Sequence, residues 1–375
     1  MKPNIWIPKR TVVRARTTDH ATADAFAVID ERGTQRGRSL DNVFKTHDGR
    51  TVDSTGAFLV GELERLDMTL NMPLAAVTWG RDMDLREDVT LADDTSSFTL
   101  SSFAAAGSLG DGNGIRNGKA WIGKSTDQIG GISVDIGKYP QALTPWGMEL
   151  KFSILELESA AKIGRPVDDQ KYEALKLKHQ MDVDEMVYVG DSSLSAVGLV
   201  NHTSVTNVTN LSNGASGSAL WSAKTPAEIL NDVNAVLQSA WAASGFAVMP
   251  DRVLLPPSQY GYIATQIISS GAGNISILKY LKENNIVTAS GQGQIEFFPA
   301  KWLVGAGSGG TLGTTGTVDR MVAYRKDKKF VRYPMTTLQR TPVQYQSVYH
   351  NTTYYCRLGQ VEMVYPETVA YRDGL

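Results

Sequence analysis

Two stretches of this chain carry the spacing of phosphate-binding loops. GKAWIGKS (Gly118–Ser125) matches GxxxxGK[ST], and Gly305, Gly307 and Gly310 match GxGxxG. The first pattern needs a buried strand before it and a helix after it, so that backbone N–H groups at the helix start meet the anion. Here SLGDGNGIRN precedes it, which is no strand, and the β-like TDQIGGISVDIG follows. The second follows KWLV, which reads as a strand, but TLGTTGT supplies no helix to cap a pyrophosphate. Nucleophilic chemistry fares no better. The single cysteine, Cys356, lies in a β-like segment whose nearest histidine is His350, and it reads as a half-buried strand residue. There is no GxSxG elbow and no HExxH. The other histidines, His20, His47, His179 and His202, are scattered, without metal-ligand spacing. Asp82, Asp84, Glu87, Asp88, Asp93 and Asp94 form an acidic run. It reads first as a solvated face and second as a calcium site, although it lacks the EF-hand spacing. No catalytic, cofactor-binding or metal-binding residue is assigned.

Composition narrows the class. A length of 375 residues gives one large domain or two to three ordinary ones, with ample core. A net charge of −2 does not mark the molecule as a nucleic-acid binder. One cysteine allows no intramolecular disulfide, which fits assembly in a reducing compartment. No apolar h-region opens the chain and no run of about 18 apolar residues occurs, so neither a signal peptide nor a membrane span is expected.

The elements are organised around one long helix. Ile154–Ile163 is rich in helix formers and ends at Gly164-Arg165-Pro166. A second helix then runs from Pro166 to about Tyr188, with Asp168 and Asp169 in its first turn. Tyr172, Leu175, His179, Val183 and Met186 form one stripe, and Ala174, Leu177, Met181 and Tyr188 a second. A helix of this length, half apolar, needs a sheet to lie on.

Before it, residues 1–57 show no sustained period. Lys2, Lys9, Arg10, Arg14 and Arg16 occupy the first eighteen residues without an acid. That is either a solvated tail or an arm for a partner subunit or anionic surface. Phe58–Leu70 has leucines at helical spacing. From Val77 to Pro145, β-type fragments (VTW, SFTL, ISVDI) alternate with turns, and the glycine-rich Ser108–Lys119 reads as the tip of a long hairpin.

After the long helix, His202–Gly217 reads as a loop. Thr225-Pro226-Ala227-Glu228 is a capping box opening a helix to about Ala243, with Ile229, Val233, Val236, Leu237, Ala240 and Trp241 on one face. Helices are expected over Gln259–Ile268 and Ile277–Asn284. Strands are expected over Arg252–Leu255, Ile295–Phe298, Lys301–Val304, Tyr345–Arg357 and Val361–Tyr365. Met321–Arg325 and Phe330–Tyr333 are expected to form a hairpin.

This order of parts resembles the major capsid proteins of tailed bacteriophages, with the Hong Kong-97 fold that encapsulin shells share. Three segments carry the likeness: TPWGMELKFSILELESAAKIGRP through VYVGDSSLSAVGLVNH; TPAEILNDV, PDRVLLPPSQYGYI and ILKYLKENN; and DRMVAYRKDKKFVRYPM with RLGQVEMVYPETVAYRDGL. It covers about Phe58 to Leu375. The resemblance implies an α+β fold: an N-terminal arm (1–57), the start of a peripheral domain (58–79) and an extended β-hairpin loop (80–138). A peripheral domain with the spine helix (139–189), an axial α/β domain (190–316) and strands returning to the peripheral domain (317–375) follow. It implies a non-enzymatic shell protein, assembling with itself as pentamers and hexamers around phage double-stranded DNA without sequence specificity. Scaffolding, portal and decoration proteins would be its partners, with assembly in the host bacterial cytoplasm and residence in the virion; no membrane is implied. Some relatives weld subunits by a lysine–asparagine bond; Lys119 and Lys124 lie on the loop, but no partner asparagine or catalytic glutamate is identifiable. The alternatives are an encapsulin-type compartment or, in a different class, a nucleotide-binding enzyme using Gly118–Ser125 or Gly305–Gly310.

Overall fold

The computed structural model describes residues 11–14, 26–29, 35–37, 74–105, 132–163, 167–268, 275–307 and 318–375. The chain divides into two compact units, Met1–Asn71 and Met72–Leu375. In the first, β1 (Thr11–Arg14), β2 (Phe26–Ile29) and β3 (Gln35–Gly37) pair antiparallel in that order. Strands of three or four residues are too short to establish an alternating pattern, so the sequence showed no period here. The helix expected over Phe58–Leu70, the tip Ser108–Lys119 and the Gly118–Ser125 loop lie outside the described residues.

The second unit opens with a single helical turn, Trp79–Asp82, and the short strand β4 (Leu85–Arg86). The VTW fragment is therefore not a strand. Its backbone turns because the Asp184 carboxylate accepts the N–H groups of Thr78 and Trp79, at 2.8 and 3.0 Å. A charged acceptor there satisfies donors that the first turn of a helix leaves free. Next come β5 (Thr95–Ala105), β6 (Ile132–Ala142) and β7 (Thr144–Ser153). The helix Ile154–Ile163 and the spine helix Val167–Tyr188 follow.

The central sheet uses β8 (Val208–Asn210), β9 (Arg252–Leu255), β10 (Glu296–Pro299), β11 (Arg320–Tyr324) and β17 (Ala370–Asp373), in the order β10-β9-β11-β17-β8. Every residue of β9 and β11 is buried, so this sheet is covered on both faces. Alternation then assigns each side chain to a layer. Leu254, Val322, Tyr324 and Tyr371 join Val183, Val187 and Tyr188 of the spine helix in one core. Val253, Leu255, Met321, Ala323 and Ala370 join Ile229, Val233, Val236, Leu237 and Ala240 of the helix Pro226–Ala243 in the other. That second helix begins with the expected capping box at Thr225 and Glu228. Helices Pro257–Thr265 and Ile277–Glu283 flank the same layer.

β12 (Val331–Pro334) lies between β4 and β16 (Glu362–Met363) in a sheet of its own. It does not form a hairpin with β11, because β9 and β17 already occupy both edges of β11. Lys301–Leu303, expected in a strand, is a 3-10 turn. In the peripheral sheet, β15 (Tyr349–Leu358) pairs along its whole length with β7. β13 (Gln339–Arg340) and β14 (Gln344–Gln346) share its opposite edge. The spine helix lies against this sheet through Tyr172 on Tyr354 and His179 on Trp146. Leu175, His179, Val183, Asp184, Val187 and Tyr188 are buried along this helix; of the second expected stripe Tyr188 is among them, whereas Ala174 and Met181 face solvent.

Candidate functional site

The feature that the unit does not explain internally is the hairpin of β5 and β6. The two strands are 11 residues each and pair from Thr95↔Ala142 to Ala105↔Ile132. At about 3.4 Å per residue they extend on the order of 35 Å. Among the described residues they form a two-stranded sheet with no further strand on either edge. Ile132, Val134 and Ile136, two residues apart and so on one face, are 72, 61 and 65% exposed. On the other face, Phe98 and Tyr139 stack at 5.5 Å between ring centroids, with Tyr139 still 51% exposed. An isolated hairpin is marginal in water, and a row of bare β-branched side chains is the kind of exposed apolar patch that marks interaction surfaces.

The hairpin's root, in contrast, is fixed. Glu362, fully buried, accepts hydrogen bonds from Ser96 Oγ of β5, from Arg86 Nη1 at 3.1 Å and from Arg332 Nε at 2.7 Å. Arg86 also reaches the backbone of Ser97 at 3.0 Å. Leu143, the single residue between β6 and β7, is buried, and its N–H donates to Asp94 O at 3.0 Å. Arg357 pairs with Asp94 at 2.7 Å. Gly359 lies against this point: a Cβ there would come within 2.9 Å of Leu143 and 2.7 Å of Pro334. A buried carboxylate with three donors, beside a position that admits only glycine, sets where the hairpin leaves the body.

The acidic run does not behave as one solvated face. Asp82 is fully buried, accepting from Arg81 at 2.6 Å and from the hydroxyl of Tyr188, which burial holds protonated. Asp88 and Asp94 are exposed and pair with Arg86 and Arg357. Among the described residues no three His, Cys, Asp or Glu side chains converge as a metal site.

Cys356 does have a histidine partner, but it is His179 of the spine helix, with Sγ 3.4 Å from Nε2. His350 instead stacks edge-on with Tyr345. Burial pushes the Cys356 thiol up to about 12 and lowers the pKa of His179. Both shifts favour the neutral forms, so the pair is not the thiolate–imidazolium of a nucleophilic cysteine. At the second glycine pattern, Gly305 N–H donates to Asp319 at 2.9 Å and Gly307 N–H to Val318 O at 2.8 Å. Those two amides are already satisfied.

The groups that organise the molecule were not legible as a site. Arg320 and Asp373, both fully buried, form a bidentate pair at 2.6 and 2.8 Å across β11 and β17. Asp184 binds Trp302 Nε1 at 2.7 Å besides the two backbone amides it caps. The available signal was a charge set against an apolar run, as in VEMVY around Glu362 and in DRMVAY, where Arg320 opens the strand beside Asp319.

A family model described as "Major capsid protein" matches residues 118–375. Among solved structures, the capsid of Myoviridae phage XM1 aligns with TM-score 0.63 at 17% identity, covering 84% of this chain and 98% of that one. The capsid of a native GTA particle aligns with TM-score 0.52 at 10% identity, covering 86% and 97%. An SrpI encapsulin from Synechococcus elongatus PCC 7942 aligns at TM-score 0.46 and 11% identity, covering 85% and 95%, too distant to weigh. No curated protein matches the sequence significantly.

Proposed function

The chain belongs to the major capsid protein family, and from that premise we propose that it assembles as pentamers and hexamers into an icosahedral head shell enclosing phage double-stranded DNA. It is a shell-forming capsid protein of the virion, with the Hong Kong-97-type α+β fold. The observation that supports assembly into such a shell is the hairpin. Its apolar row has no cover from its own chain among the described residues, and its root is rigid. A rigid root presents the row in one direction, so a neighbouring copy can cover it at little ordering cost.

In this reading the hairpin lies across the adjacent subunit. It starts at Thr95, since Trp79–Arg86 are docked in the body. With β6 running to Ala142, residues 143–189 and the returning strands form the peripheral domain, 190–316 the axial domain at the capsomer centre, and 1–57 an arm that clasps another subunit. Scaffolding, portal and decoration proteins are its partners, the DNA is held without sequence readout, and assembly takes place in the host bacterial cytoplasm. Expression with and without the neighbouring genes, followed by negative-stain electron microscopy, tests this. Closed icosahedral particles are expected, filled with DNA when the packaging genes are present. A strictly monomeric species under all conditions contradicts the reading, and particles that enclose an enzyme cargo in place of DNA select the encapsulin alternative.

A further inference from the structure

A second surface is as well formed as the hairpin root. A groove of about 1040 Å³ runs between the start of β7, the last turns of the spine helix and the loop after it. Trp146, Met186, Val189 and Leu194 give it apolar walls, and Asp182, Glu185 and Asp191 give it three carboxylates; no lysine or arginine lines it. Lys178 pairs with Asp182 from outside at 2.5 Å, while Glu185 is exposed and Asp191 serves only the turn that follows it.

The wall is held rigidly. Gly190 has φ of 79°, and a Cβ there would lie 2.3 Å from Ala196 O; at Gly198 one would lie 2.2 Å from Tyr188 O. Asn201 accepts from Gly198 N–H and donates to Val189 O, both at 2.8 Å. Closing this loop so tightly leaves Leu194 47% exposed. A preformed groove, apolar and acidic, fits an extended segment that is apolar and basic.

The chain contains such a segment. Met1–Arg10, MKPNIWIPKR, lies ahead of β1 and carries Lys2, Lys9 and Arg10 with no acid. Ile5, Trp6 and Ile7 stand between these charges, and Pro3 and Pro8 favour an extended backbone. We propose that Met1–Arg10 of a second copy docks in the groove bounded by Trp146, Asp182, Glu185, Leu194 and Asp191, its bases meeting Glu185 and Asp191, since Asp182 is already bound by Lys178 and Trp146, and its apolar centre meeting the walls. This names the receiving surface for the arm and rests on the shell reading for the second copy, but the groove can be tested without a shell.

The test uses a fluorescently labelled Met1–Arg10 peptide and unassembled full-length subunits, read by anisotropy. Saturable binding is expected, weakening steeply between 50 and 200 mM salt. It should weaken at least tenfold in Glu185→Lys/Asp191→Asn, where asparagine keeps the turn's acceptor. A peptide with Lys2, Lys9 and Arg10 replaced by glutamate should bind that variant better than the parent. No binding, or binding indifferent to the charge swap, overturns the groove assignment, and Glu185→Lys alone serves if the double variant misfolds. Carbodiimide crosslinking of particles assembled from mixed light and heavy isotope subunits identifies the copy. Lys2 or Lys9 joined to Glu185 or Asp191 in mixed-isotope pairs is expected, whereas same-isotope pairs alone show that each groove holds its own arm and overturn the proposal. Failure to form any particle counts against the shell reading and leaves the peptide result to decide the groove.

Discussion

At the scale of single residues, this protein fastens its layers with buried charge. Arg320 and Asp373 bind each other bidentately, and Arg320 also donates to Val200 O at 2.7 Å and lies over the Tyr371 ring. Removing one partner of such a pair leaves an uncompensated buried charge, at a cost of about 3–5 kcal/mol. Asp373→Ala should therefore lower the unfolding free energy of unassembled subunits by that order, read from urea denaturation. A loss below about 1 kcal/mol would show that water reaches Arg320. Cys356 gives a chemical check on burial. With its thiol pushed up to about 12, it should resist a disulfide exchange reagent at pH 8 in the native protein and react at once in denaturant. The histidines give a check on pH. Burial lowers the pKa of both His179 and His202, so each is held neutral in the fold. Their contribution is complete above the unfolded pKa of about 6.5 and is lost as pH falls from there through the folded values. Stability should fall between pH 7 and pH 5, by at most about 1.4 kcal/mol per pH unit for each histidine. His179→Gln should flatten that slope in a pH series of melts.

At the scale of elements, the spine helix and the hairpin follow different rules. The helix was legible because its length, its acidic first turn and the Leu175, His179, Val183 spacing all agree. Its second stripe held only at Tyr188, which enters the core, while Ala174 and Met181 face solvent because the peripheral sheet and the core take up only one side of the helix. The hairpin strands were legible as β-type fragments, but their exposure was not. A strand with Ile132, Val134 and Ile136 in alternation normally buries that face in its own chain. Replacing these three by serine should leave the unassembled subunit's melting temperature nearly unchanged, since exposed side chains contribute little to folding. Particle formation should fail, because burying each would contribute on the order of 1.5–3 kcal/mol at every contact. Sedimentation of intact shells from the triple variant would show that the row is not an interface.

At the scale of the whole molecule, the described body stands on two cores separated by a sheet covered on both faces, while the hairpin stands outside both. Replacing residues 101–132 by a short Gly-Ser linker should thus spare folding and abolish stable shells. Circular dichroism should remain close to the parent while sedimentation shows only small species. Normal, equally stable particles from this variant would mean that the hairpin is not an intersubunit clamp.

The sequence by itself determined what is local. The capping box at Thr225, the helix Ile154–Ile163, the spine helix and β9 with its apolar run Val253–Leu255 depend on neighbours within a few residues, and each formed where the pattern placed it. The ordered set of these segments also sufficed for the likeness to phage capsids. Only the tertiary structure decided which strands share an edge and which charges share a cavity. β11 and β12 read as a hairpin, yet β9 and β17 take both edges of β11 from far along the chain. Asp82 read as part of a solvated run, yet Tyr188 and Arg252, distant in sequence, enclose it. Glu362 gave no sign of holding Ser96, Arg86 and Arg332 together at the hairpin's root. Edge occupancy and the pairing of buried charges depend on contacts between residues tens to hundreds of positions apart, and no local period or propensity encodes those.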